Sequence, residues 1–534
     1  MASKSPPKRA FITRLTRHPY MVGALPTIGG FLFGCDIVSS MSAQLDNPYY
    51  LSQFNNPNSD LQGGITAAMP AGSFGGALIN SYLADKIGRK RCLILSGWIW
   101  VVGCIIQAVS NNVRTLVAGR VVAGIAVGIA SAIVTVYQAE ITKPNIRGRI
   151  VSIQQLAIMT GIMDFLQYGC SYINSNTSFR LPWGLQAIPG ALLGSLMFLF
   201  PESPRYLMDR GRETDALQVL ADVHAEGDTE DLFVQLEFAE IQRQIEFDKT
   251  QAAKSYFDLL KPDVRRRVLL GCADQMWSQL SGMNVMMYYV TYVFQSAGLT
   301  GRRAGLIASS VQYVLAVLVT IPAVIWIDRW GRRPMLLYGA IFMALWLLLV
   351  GSLQAGFGHA VVDASSSDTT TWAIDENNKA VSYVIIVFMY FFVCSFSSTW
   401  GPCSWTYASE IFPTRVRGKA VSSTPPAFRN IQYRTYFVYM TFNCVAAIMV
   451  FFMFPETKGY SLEQMEEVFH GNAFSAWNAG KGIVPEGGRK TVTAADIEAA
   501  RGGDLTGHAR HPGSEKGDLK PQISHDEKVE TASH

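Results

Sequence analysis

Charge is scarce in this chain. Of its 534 residues only 16% are charged, while 49% are hydrophobic. An ordinary soluble domain carries about a quarter charged residues, so a soluble enzyme of usual composition is excluded. The net charge of +4 points to no particular partner, and no nucleic acid is expected. Cysteine is sparse too: the eight lie in or near apolar runs, which leaves no extracellular disulfide framework. No nucleophile–base grouping, metal-ligand spacing or phosphate loop stands apart from the apolar organisation, so neither catalysis nor a cofactor is expected. A cleavable signal peptide is not expected either, because the basic, Pro-containing start runs into an apolar span too long for a signal core.

What the chain does have is apolar length. Uncharged or nearly uncharged runs recur at 19–35, 61–84, 92–113, 121–139, 150–163, 181–201, 275–301, 304–327, 334–358, 381–409 and 435–455. A helix of about 20 mainly apolar residues crosses the hydrocarbon of a lipid bilayer, and a helix satisfies its own backbone there. The reading is an all-α integral membrane protein with eleven crossings. Lys4, Lys8, Arg9, Arg14 and Arg17 precede the first crossing and Lys86, Arg89, Lys90 and Arg91 follow the second, whereas the loop between carries only Asp46 and Asp60. The positive-inside rule puts the N-terminus in the cytosol; Lys143, Arg147 and Arg149 agree, and Arg302 and Arg303 are a small exception. The sequon Asn176-Thr177-Ser178 falls on the expected outer side, a weak signal by itself.

The expected organisation is a basic cytosolic tail at 1–18, a six-helix bundle at 19–201, a cytosolic helical connector at 202–262, a second bundle at 263–470 and a disordered cytosolic tail at 471–534. The two bundles repeat each other. Asp85-Lys86-Ile87-Gly88-Arg89 is echoed by Asp328-Arg329-Trp330-Gly331-Arg332, and Glu140 with Arg147 by Glu410 with Arg417, each pair seven apart. Acid and guanidinium groups at helix ends can tie the halves together in one conformation and release them in another. The bland alternative is that they are topology signals and headgroup contacts. The repeat is also short in one place: Pro201 follows Glu140 by 61 positions and Pro455 follows Glu410 by only 45, a shortfall of 16.

Arg120-Val121-Val122-Ala123-Gly124-Ile125-Ala126-Val127-Gly128, the two Asp-x-x-Gly-Arg boxes, Pro201-Glu202-Ser203-Pro204-Arg205 and Pro455-Glu456-Thr457 together resemble the sugar porter family of the major facilitator superfamily, over roughly residues 20–470. The stretch Gln275-Met276-Trp277-Ser278-Gln279-Leu280-Ser281-Gly282-Met283-Asn284-Val285-Met286-Met287-Tyr288-Tyr289 is similar to the high-affinity monosaccharide transporters of filamentous fungi. The resemblance implies two pseudo-symmetric bundles and alternating-access transport of a glucose-like hexose or xylose; a plasma-membrane location and a monomer are expected. It also implies proton symport ahead of facilitated diffusion. A sugar sensor or a non-transporting isoform remains the alternative.

Sugar recognition needs uncharged donor–acceptor groups and a flat aromatic face near the bilayer midplane. By the resemblance, Gln155, Gln279, Asn284 and Trp405 are sugar ligands, and Phe33, Phe396, Tyr288 and Tyr289 form the wall and outer gate. For each amide the alternative is an interhelical hydrogen bond. Gln279 and Asn284 are five apart, with Gly282 between them to permit local unwinding. Asp36 lies mid-crossing and Arg120 begins an otherwise uncharged span, places where charge is expensive unless paired or wetted; the resemblance makes them the proton-coupling pair. Ser278 and Ala316 depart from the family's Gln and Asn, and Asp164 and Asp274 are further acids without an assigned role. The shortfall reads as a deleted eleventh helix: Ala420-Val421-Ser422-Ser423 resembles its start, and Thr424 to Asn430 the outer loop that follows it. Simple threading then puts Glu456 and the tail on the outer side.

Overall fold

The computed structural model describes residues 18–40, 47–57, 59–162, 169–170, 172–251, 262–283, 302–362, 370–374, 378–411, 434–458 and 469. Prolines and glycines set its breaks. Helix α1 (Pro19–Ala24) is separated from α2 (Ile28–Ser40) by a 3-10 turn over Leu25–Thr27, where Pro26 has no N–H to continue the ladder. The short α3 (Pro48–Gln53) is capped by the Asn47 side chain, which accepts from the Tyr49 N–H at 3.1 Å. Then come α4 (Ser59–Ile87), α5 (Arg89–Val109) and α6 (Val113–Ile141). Helices α4 and α6 lie backbone to backbone. A Cβ at Gly72 or Gly76 would strike the Val121 or Ile125 carbonyl, and one at Gly124 or Gly128 the Met69 or Ser73 carbonyl. Small residues four apart on both helices make that approach possible in lipid, where packing and not water exclusion drives association.

Helices α7 (Pro144–Ile162), α8 (Thr177–Leu185) and α9 (Ala187–Leu196) complete the first half. Three polar helices follow, α10 (Pro204–Asp209), α11 (Glu213–His224) and α12 (Leu232–Gln251), with a small core of their own around Leu207, Leu220, Val234 and Ile241. The second half holds α13 (Pro262–Leu280), α14 (Arg302–Trp330), α15 (Arg332–Phe357), a β-hairpin, α16 (Lys379–Ser398), α17 (Trp400–Ile411) and α18 (Arg434–Met453). The hairpin pairs β1 (Gly358–Val362) with β2 (Thr370–Ile374), antiparallel, with Gly358 opposite Ile374. The apolar-run pattern gave no sign of it.

Among the described residues, seven helical stretches are long and apolar enough to cross a membrane. Their outer flanks expose Val102, Ile105, Leu318, Tyr338 and Ile448, a surface that suits lipid and not water. Inside, one core gathers Val22, Trp100, Val134 and Leu193 of the first half, and another Leu336, Met343, Phe392 and Trp400 of the second. Ile158 and Met159 of α7 belong to the second core, so the halves are joined by α7 wedged against α14 and α17.

One end of the molecule collects Arg89, Glu140, Arg149, Asp328 and Arg332 and is called here the charged end; the other carries the hairpin. This division corrects the simple threading. Trp277 of α13 donates to the Met449 sulfur at 3.0 Å, the Tyr407 and Phe454 rings stack with centroids 5.1 Å apart, and Glu456 accepts from the Arg332 N–H at 2.9 Å. Helix α18 therefore ends at the charged end, as α17 does, and Glu456 lies there and not on the opposite side. The two helices run parallel, so the chain between Ile411 and Arg434 joins opposite ends of the molecule. Residues 412–433, which include Arg417 and the inferred deletion, lie outside the described residues.

Candidate functional site

Halfway along the seam between the halves, Gln155 of α7 is 3% exposed and its Oε1 accepts from the Trp405 Nε1–H of α17 at 3.1 Å. The backbone of α17 runs close by, since a Cβ at Gly401 would come within 2.8 Å of Gln155 Nε2. Gln275 of α13 donates to the Ser404 carbonyl at 3.1 Å, which ties a third helix to the cluster. Gln279, one turn farther along α13, is exposed. Phe33 is half-buried and packs against both cores, and Phe396 is buried in the second. Asn284, Tyr288 and Tyr289 lie outside the described residues. Of the eight expected sugar-site residues, Gln155 and Trp405 are thus in direct contact. Gln275 was not singled out from the sequence, although it stands in the stretch that carried the resemblance.

Just beyond Gln279 the helix stops. Gly282 has φ +96°, a conformation that costs an L-residue strain and glycine little. The Ser281 hydroxyl donates to the Ser278 carbonyl at 2.7 Å and accepts from the Met283 N–H at 3.3 Å. The Ser281 carbonyl accepts from the Asn443 amide of α18 at 3.0 Å. Ser278 and Ala316, the two departures from the family pattern, are both buried.

Asp36 falls in α2, but its side chain lies outside the described residues. The carbonyl of the preceding Cys35 accepts from the Gln186 amide at 3.1 Å, and the Gln186 carbonyl from Trp100 Nε1–H at 2.8 Å, which fixes this part of α2 against α9 and α5. Arg120 is 1% exposed on α6. It acts on Tyr50 of α3: burial raises that phenol's pKa and the guanidinium opposes the rise. Asp164 lies outside the described residues. Asp274 is fully buried, and neither of its carboxylate oxygens has a hydrogen-bond partner among the described residues.

The charged end is built twice. Gly88 (φ +100°) joins α4 to α5, and Gly331 (φ +88°) joins α14 to α15. In each case a carboxylate from the end of the same half caps the exposed N–H groups of the next helix, a favourable place for negative charge. Glu202 accepts from the Lys90 N–H at 3.0 Å; Glu456 accepts from Arg332 and Arg333 at 2.9 and 3.1 Å. The following cations match as well, Lys90 donating to the Phe198 carbonyl and Arg333 to that of Phe451. Burial pushes the Glu202 carboxyl up, against the two N–H groups that favour its charge.

Arg89 grips Glu140 with two bonds, Nε to Oε2 at 3.1 Å and Nη2 to Oε1 at 3.2 Å, while Asp85 stands 3.5 Å away and the Ser203 hydroxyl adds 2.6 Å to Glu140. In the second half Arg332 holds Asp328 at 2.9 Å, and the other oxygen of Asp328 accepts from the Arg149 N–H of the first half at 3.0 Å. Gly148 leaves no room there for a side chain. Arg147 is buried; Glu410 is in α17 with its side chain outside the described residues. Ser152 and Thr406 close the seam between this end and Gln155, hydroxyl to hydroxyl at 3.0 Å. The polar helices dock on the same end: His224 Nε2 meets the Ile141 carbonyl at 3.1 Å, its Nδ1 lies 2.6 Å from Glu237, and Lys143 returns a bond to the His224 carbonyl at 2.8 Å.

The sequence matches the family described as "Sugar (and other) transporter" over residues 22–469. The chain belongs to the sugar transporter family. It is 44% identical to the MFS glucose transporter mfs1 of Aspergillus flavus, over 86% of this chain and 90% of that protein. It is 39% identical to the high-affinity glucose transporter of Kluyveromyces lactis, covering 86% of each. The fold is similar to that of the solved proton:xylose symporter XylE bound to 6-bromo-6-deoxy-D-glucose, with a TM-score of 0.71 and 23% identity, over 85% of this chain and 99% of that one. A sugar porter of the major facilitator superfamily, this multi-pass membrane protein belongs to a family of transporters.

Proposed function

We propose that this sugar transporter carries a glucose-like monosaccharide across the plasma membrane by alternating access, coupled to a proton, with its charged end in the cytosol. The observation that carries the reading is the bond between Gln155 and Trp405 across the seam of the two halves. A sugar entering from the hairpin end offers hydroxyls that can replace that bond, one to the amide and one to the indole N–H, and Gln279 stands one turn beyond Gln275, which bonds to the same helix as Trp405. Ring C–H groups lie well on an indole face. The Ser152–Thr406 contact and the Asp328–Arg149 bond block the path to the charged end, so the conformation is closed to the cytosol. Opening to that side has to break them. In this reading Arg89–Glu140 and Arg332–Asp328 are the latches, with Arg147, Glu410 and Arg417 completing them, and Asp36 with Arg120 carries the proton.

Relatives named as glucose transporters support the substrate class. The test is uptake of labelled glucose and xylose by the purified protein in liposomes, with internal pH followed. Saturable uptake accompanied by acidification is expected. Saturable uptake indifferent to the pH gradient would overturn proton coupling, and absence of sugar uptake or binding would overturn the substrate. A second reading, a chain that folds but does not transport, is favoured by one observation: a single stretch, 412–433, has to rejoin opposite ends of the molecule.

A further inference from the structure

We propose that Asn443 is a positioning residue for the sugar site, fixing the helix break that separates Gln279 from the residues beyond Met283. The inference rests on reading the Gln155–Trp405–Gln279 region as the sugar site. The last turn of any helix leaves carbonyls without intrahelical partners, and at membrane depth an unsatisfied carbonyl is costly. Helix α13 ends at Leu280 in this situation. Ser281 supplies one local remedy by donating to the Ser278 carbonyl. The carbonyl of Ser281 itself is turned out of the helix and is met by Asn443 of α18 at 3.0 Å.

Asn443 is built to do this. It is 2% exposed in a largely apolar helix, and the same amide nitrogen also donates to the Tyr439 carbonyl one turn back at 2.8 Å. That second bond fixes the side-chain direction, so the donor is aimed at Ser281 before α13 arrives. One turn away the Tyr439 ring lies against Gly282: a Cβ there would meet the ring at 3.0 and 3.2 Å. Amide and ring together hold Ser281 from one side and Gly282 from the other. Both act on the backbone of the break, at Ser281 and Gly282. They set the angle at which the chain leaves the turn carrying Gln279, and small errors in such angles cost affinity.

The alternative is that Asn443 is general interhelical glue. The two roles separate in a measurement on the full chain in liposomes and in detergent. Asn443→Leu keeps the shape and loses the donor; Asn443→Asp keeps the shape and faces the Ser281 carbonyl with an acceptor. For both, the expected result is a rise of about tenfold in the KM for glucose, a changed ranking of glucose against its epimers in competition, kcat within about twofold, and faster amide exchange in the peptide around Met283. Asn443→Gln, which keeps a donor, should recover part of the affinity. If Leu does not yield a monodisperse protein, Asp and Gln carry the comparison. An unchanged KM and epimer ranking, with or without faster exchange, would overturn positioning and leave glue. Absence of sugar binding by the wild type would overturn the site reading and this inference with it, an outcome distinct from a variant that binds as the wild type does.

Discussion

At the scale of single residues, the decisive contact joins two side chains 250 positions apart. Trp405→Phe keeps a flat ring and removes the N–H that Gln155 accepts. The expected outcome is a rise of about tenfold in the KM for glucose at unchanged surface abundance, since one hydrogen bond is worth about 1 kcal/mol or somewhat more. Gln155→Ala should cost more, because it removes both the carbonyl and the NH2 of the amide that the sugar hydroxyls would meet. Equal KM values for wild type and Trp405→Phe in a tracer uptake assay would remove Trp405's N–H from the site. Gln155 and Trp405 were legible in the sequence as residues of suitable chemistry on family positions. Their bond was not, because no periodicity relates side chains on separate halves. Asn443 left a faint trace, a lone amide in an apolar run, but many such amides merely glue helices together.

The elements were easier to read, and the reason is physical: lipid forces the backbone into helices, and helices leave uncharged runs of fixed length. What those runs conceal is how they end. Gly88 and Gly331 look like ordinary loop glycines, yet each sits at positive φ with a carboxylate packed on its Cα. Gly331→Ala would bring a Cβ within 2.6 Å of Glu456, in addition to the cost of about 1 kcal/mol or more for the backbone conformation. Gly211 has φ +73° with open space around it, so Gly211→Ala incurs the backbone cost alone. In detergent melts Gly331→Ala should lower Tm more than Gly211→Ala does; equal shifts would mean that Glu456 does not press on this turn. The β-hairpin was not legible, because residues 358–374 have none of the apolar length on which the reading relied.

For the whole molecule, two halves closed at one end make a mechanical claim. Ser152 and Thr406 touch across the seam, so cysteines at both positions should form a disulfide under mild oxidation, given that their side-chain ends already meet. Cross-linking should stop uptake by preventing the charged end from opening, and a reductant should restore it. Uptake that persists in the fully cross-linked protein would show that the halves do not part there. The repeat revealed both halves and their matching ends, while the direction of the last helix followed only from the contacts of Tyr407, Met449 and Glu456.

That direction bears on how the protein is made. A chain threaded into a membrane during synthesis reverses with each helix, but α17 and α18 point the same way, so the segment between them has to supply a full reversal before the last helix can seat. If it does, an acceptor sequence for N-linked glycan fused after His534 stays unmodified, because the carboxyl end never enters the secretory lumen. A glycosylated fusion would mean that the ribosome's product leaves with its final helix upside down, and Glu456 would then be made on one side of the membrane and its backbone partners at Arg332 and Arg333 on the other.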